Sequence, residues 1–130
     1  MGAWGSGPFD NDDAADFLGE LIEVADWSVA AAALDAVLAT ADEYLEAPES
    51  SMAIAAAAIV AHSVGGYIAD LAPEDAPAIA ALGAPPAELL IKAKAALVRI
   101  RKQSELADLW EEAAAKDEWM VTLDSIEKAL

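Results

Sequence analysis

The stretch Met52-Ala53-Ile54-Ala55-Ala56-Ala57-Ala58-Ile59-Val60-Ala61, residues 52–61, decides the fold. It is about half of the roughly 20 residues needed to span a bilayer, and most of it is alanine, the best helix former. Such a run reads as a buried helix whose small side chains let neighbouring helices approach closely. Ser50 or Ser51 is expected to start it after a break at Pro48. It is expected to continue to about Leu71, with Val60, Val64, Tyr67, Ile68 and Leu71 on one face. Gly65 and Gly66 mark a kink or a break, because each glycine costs about 1 kcal/mol relative to alanine in a helix interior.

Helical spacing continues on both sides of that run, and strand-type alternation does not occur. Upstream, Asp10 or Asn11 caps a first helix, Asp12 and Asp13 suit its positive end, and Ala14, Phe17, Leu18, Leu21, Ile22 and Ala25 form its buried stripe. Asp26 and Trp27 end it. Ser28 caps a second helix with the stripe Leu34, Val37, Leu38, Ala41, Tyr44 and Leu45. Downstream, Pro73, Pro77, Gly83, Pro85 and Pro86 leave room for a short helix from about Glu74 to Leu82. A long helix then runs from Pro86 to about Gln103, with Leu89, Leu90, Ala93, Ala96, Leu97 and Ile100 on one arc. Ile91 and Val98 fall off that arc and predict a second covered surface. Ser104 caps a helix bearing Leu106, Leu109 and Trp110, and Asp117 one bearing Trp119, Leu123, Ile126 and Leu130. The reading is all-α: a compact bundle of six or seven helices, one domain over residues 1–130, preceded by an ordered Gly/Trp-rich loop from Gly2 to Phe9.

The charge is uneven. Residues 1–91 carry 16 acids and no Lys or Arg, whereas residues 92–130 carry 8 acids and 7 bases, so almost all of the net −17 sits in the first two thirds. Such a field repels phosphate backbones and anionic lipid surfaces, which are bound through basic contacts. Nucleic acid and membrane are therefore excluded as partners, and a basic protein or bound cations fit. The chain has no cysteine, which removes disulfides, a thiolate nucleophile and cysteine-ligated zinc. The start lacks the positive and apolar regions of a secretory signal.

Several constellations invite a chemical reading, and each has a simpler structural one. The glycines of Gly2-Ala3-Trp4-Gly5-Ser6-Gly7 lack the preceding strand and following lysine of a phosphate cradle, and four nearby aspartates would repel the ligand. Met1-Gly2 with Ser6 matches a myristoylation pattern without the polybasic helper that a single acyl chain needs. Asp10, Asp12, Asp13 and Asp16 resemble a cation site, but the calcium-loop spacing fails at Ala14 and no glycine follows. Asp13, Asp16, Glu20 and Glu23 share a helix face without the histidine of a di-metal bundle. His62, the only histidine, lies on the most apolar helix, and Ser63 beside it makes no triad. Lys92, Lys94, Arg99, Arg101 and Lys102 flank the apolar arc of the long helix and are expected to pair with acids of its neighbours. Trp4, Phe9, Trp110 and Trp119 are expected to be packing anchors, as is Trp27. No pattern calls for a cofactor or assigns a catalytic residue.

The start Met1-Gly2-Ala3-Trp4-Gly5-Ser6-Gly7-Pro8-Phe9-Asp10-Asn11-Asp12, followed by Ala15, Asp16 and Glu20-Leu21, resembles a bacterial family known as domain of unknown function 4259. Ser104-Glu105-Leu106, Leu109-Trp110 and Trp119 are similar to that family's C-terminal pattern, while Phe17 stands where a tryptophan is expected. The resemblance implies a bacterial, cytoplasmic, helical protein and brings no reaction, cofactor or catalytic residue. The functional expectation is a non-catalytic interaction protein of immunity or accessory type that turns its acidic part to a basic partner. The alternatives are a cation binder or metal-dependent enzyme at the N-terminal aspartates, and a structural homo-oligomer.

Overall fold

The fold is that of a computed structural model, which describes residues 5, 7–40, 43–67 and 71–130. Among the described residues there are seven helices and no strand: α1 Asp12–Val24, α2 Ser28–Leu38, α3 Ala47–Ser63, α4 Ala76–Ala81, α5 Ala87–Lys102, α6 Glu105–Glu112 and α7 Lys116–Lys128. The alanine run lies in α3. Ala53, Ala55 to Ala58 and Ile59 to Ala61 are all fully buried, on every side of the helix. A helix apolar all round must be enclosed, and α3 touches each of the other six helices. Around it α1 packs on α2, α2 on α5, α5 on α7 and α7 on α6. Gly5, Gly7 and Pro8 lie near residues of α6 and α7 and the start of α1.

Local chemistry sets the helix ends. Asn11 caps α1, its Oδ1 accepting from Ala14 N at 2.8 Å. Ser104 caps α6, accepting from Ala107 N at 3.0 Å while its hydroxyl donates to Ile100 O at 2.8 Å. The start of α3 is tied across the chain: Glu105 Oε1 accepts from Ala47 N at 2.8 Å, and Glu105 N donates to Leu45 O at 2.9 Å. The far end of α3 closes by paired return bonds, Gly65 N to His62 O at 3.0 Å and Gly66 N to Ala61 O at 3.2 Å, with Gly65 at φ +86°. Glycine suits Gly65 because other residues pay to enter the left-handed region. Gly66 meets a different constraint, since a Cβ there would stand 2.8 Å from Ala129 O and 2.9 Å from Ala129 Cβ.

Several boundaries differ from the periodicity reading. Pro48 does not break the chain before α3 but sits in its first turn, where its missing N–H is no loss. α3 stops at Ser63 because the glycine pair terminates it, so Val64 is exposed and Leu71 lies beyond the helix. Ile68 is outside the described residues. α2 ends at Leu38, where Thr40 Oγ1 donates back to Val37 O at 2.7 Å. Tyr44 is therefore exposed, Leu45 is buried on the segment entering α3, and Ala41 is outside the described residues. Ser28 is the first residue of α2 rather than its cap, and Asp26 accepts from Ser28 N at 2.5 Å. Ala25 ends α1 at φ 59° and is exposed. Asp117 lies inside the first turn of α7. Ile91 and Val98 are uncovered, at 71% and 50% exposure.

Gly66→Ala is expected to lower stability by about 1–3 kcal/mol, because the contact it forces is with backbone. Ser104→Ala is expected to cost about 1–2 kcal/mol through the lost cap. Urea unfolding measures both.

Candidate functional site

The cations of α5 are placed first by the acids they meet. Lys92 Nζ lies 2.9 Å from Asp35 Oδ1 on α2 and 3.1 Å from Glu88 Oε1. The hydrogen bonds to Asp35 and then Glu88 hold the Lys92 ammonium above the usual lysine range. On the opposite edge, Arg101 Nη2 is 3.1 Å from Asp124 Oδ1 and Nη1 is 3.5 Å from Glu127 Oε2, both on α7. Arg99 donates to the backbone carbonyls of Glu43, at 2.8 Å, and Gln103. Lys94 and Lys102 are exposed. Of the five cations expected to pair with neighbouring acids, Lys92 thus ties α5 to α2 and Arg101 ties it to α7, while Lys94 and Lys102 form no ion pair among the described residues.

That arrangement leaves α1 uncompensated. Asp12, Asp16, Glu20 and Glu23 are exposed and Asp13 is half-buried. At about 100° per residue they share one arc of about 100°, opposite the buried Ala14, Phe17 and Leu21. α1 packs on α2 and α3, neither of which contains a Lys or Arg. Among the described residues no ion pair reaches this face.

Beside the start of α1 is a cavity of about 240 Å³. Its apolar wall is Ile54 of α3, Leu106 and Trp110 of α6, and Trp119 and Leu123 of α7, all buried. Asn11, Asp12 and Asp13 line it from α1, Gly5 and Gly7 from the loop, and Ser51 from α3. Ser51 is only 5% exposed, and its hydroxyl forms no hydrogen bond among the described residues. The loop is held by Asp10, whose Oδ2 accepts from Gly7 N at 3.1 Å. A Cβ on Gly5 or Gly7 would come within 2.5 or 2.7 Å of that same oxygen.

The four N-terminal aspartates are therefore separated by role: Asp10 in the turn, Asp12 and Asp13 at the cavity, Asp16 on the outer face. Among the described residues no three His, Asp or Glu side chains stand together as metal ligands. His62 is half-buried in the last turn of α3. Phe9 packs against the core, and Trp27, half-buried, donates from Nε1 to Leu82 O at 3.2 Å. Trp4, Met1, Gly2 and Ser6 lie outside the described residues. Sequence reasoning treats Ser51 only as a helix start and gives Glu105 no structural role. The bonds from Glu105 to Ala47 and Leu45 and the place of Ser51 at the cavity are long-range features that leave no local signal.

The architecture is an all-α bundle wound on an alanine-rich axial helix, with an acidic outer helix next to an aromatic-walled cavity. The chain belongs to the family described as a domain of unknown function (DUF4259), whose model matches residues 2–122. That match runs from the N-terminal loop into α7. No curated protein and no solved structure matches the chain. Among the described residues no helix is long and apolar enough to cross a membrane.

The raised Lys92 value has a signed consequence. Stability from this group is full below the usual lysine pKa and is lost as pH rises through the higher folded value. Melting temperatures across the alkaline range should fall more steeply for the native chain than for Lys92→Met. Equal slopes would show that the Asp35 and Glu88 contacts do not stabilise the fold.

Proposed function

We propose that the protein is a small non-catalytic interaction module, of immunity or accessory type, that acts in the bacterial cytoplasm and holds a basic protein partner on its acidic surface. The observation that carries this reading is the α1 face: Asp12, Asp13, Asp16, Glu20 and Glu23 lie in a 91-residue stretch without a Lys or Arg. Lys92 and Arg101 of α5 are engaged elsewhere, at α2 and α7. Uncompensated charge on one rigid helix raises association rates for an oppositely charged partner and repels like-charged ones. An exposed carboxylate row also contributes to solubility, so the test must separate specific capture from bulk charge.

Pull-down from host lysate in rising salt makes that separation. The partner should be lost as the screening length shrinks from about 10 Å at 0.1 M to about 3 Å at 1 M. Asp16→Asn/Glu20→Gln/Glu23→Gln should release it at lower salt than the native chain. Retention that ignores salt, or no retained protein, contradicts the reading.

A second reading, a structural homo-oligomer, rests on the exposure of Ile91 and Val98 on α5. Light scattering that finds a monomer at high concentration removes it.

A further inference from the structure

We infer that the cavity beside α1 is a slot for one lysine side chain of the basic partner, an assignment that rests on the proposed interaction role. Size sets the class of occupant first. At about 240 Å³ the cavity falls below the roughly 300–1,000 Å³ of sites for drug-sized ligands. It suits a single side chain rather than a nucleotide or cofactor.

The walls and the polar groups then select the side chain. Ile54, Leu123, Trp110 and Trp119 offer apolar and aromatic surface for a chain of methylenes, and an indole face attracts a cation. Two acidic residues, Asp12 and Asp13, line the same small space. The positive end of α1 opposes a cation with only about half a charge, and Asn11 already caps it. The net field therefore favours a cation and rejects an anion. Ser51, a residue only 5% exposed, adds a hydroxyl that forms no hydrogen bond among the described residues. A hydroxyl oxygen can accept, and an ammonium carries three donors with no acceptor. A bare divalent cation fits less well, since no third carboxylate or imidazole joins these two among the described residues.

The test compares two glycine-rich peptides of equal charge on the native chain. One carries a single lysine, and the other carries diaminopropionate, whose amine sits on one methylene. Indole N–H signals of Trp110 and Trp119 are followed by NMR. The lysine peptide should shift them saturably, and the short analogue should bind about tenfold more weakly. Asp12→Asn/Asp13→Asn should weaken the lysine peptide about tenfold, while Glu74→Gln/Asp75→Asn, which removes the same charge away from the cavity and from α1, should leave it unchanged. Equal binding of both peptides overturns the slot and leaves the acidic-surface reading standing. Indole signals that do not move also overturn it. If shifts appear only in Trp4→Ala, the slot is the seat of the chain's own tryptophan and the inference fails. If no basic protein is retained at any salt either, both readings fail together.

Discussion

The alanines of α3 are the constraint on which everything else depends. A helix of small side chains can be surrounded closely on all sides, and α3 is, with Ala53 and Ala55 to Ala58 at zero exposure. Close packing at near-crystalline density leaves no slack around such a helix. The helices α1, α2, α5, α7 and α6 are thereby fixed around it, and their larger apolar side chains turn inward, among them Phe17 and Leu21 from α1, Leu34 and Val37 from α2, Leu97 and Ile100 from α5, and Leu123 and Ile126 from α7. Since α3 has almost no polar surface to offer, the charge of the protein is carried by the outer faces of these helices.

How that charge divides follows from sequence order and packing order together. The one strongly basic helix, α5, sits between α2 and α7, and Lys92 and Arg101 reach one neighbour each. α1 lies on the far side of α2, away from any cation. The acidic excess of the first two thirds is therefore partly spent at the seam with α5 and otherwise left to solvent on α1. The cavity arises where α3, α6, α7 and the start of α1 meet, with Gly5, Gly7 and Pro8 beside the Asp10 turn on its rim. Gly5 and Gly7 leave room there for the Asp10 carboxylate, which accepts from Gly7 N.

Much of the fold was legible because it rests on local rules. Asn11, Ser104 and the arc of α5 follow from capping and helical period alone, and the central place of α3 follows from its alanines. What misled were competing signals of the same strength. Pro48 reads equally as a breaker and as a first-turn residue, and the choice depends on Glu105, 58 positions away, satisfying Ala47 N. The stripe of α2 continues by spacing to Leu45, but Leu45 is buried on the segment entering α3 and not in a helix. For the site, the acidity of α1 was readable from composition, as was the pairing of Lys92 and Arg101 in outline. The cavity was not, since Ser51, Asp12 and Trp119 meet only where α3, α1 and α7 come together.

The most direct measurement is the unfolding free energy of Ala57→Leu, read against Ala95→Leu on the exposed face of α5. If enclosure of α3 fixes the bundle, the added isobutyl group at Ala57 has nowhere to go. The loss should be about 1–3 kcal/mol or more, as overpacking of a filled core costs. Ala95→Leu should stay within about 0.5 kcal/mol, as surface substitutions do. Equal and small changes at the two positions would contradict the account, because they would mean that α3 is not tightly enclosed by its neighbours.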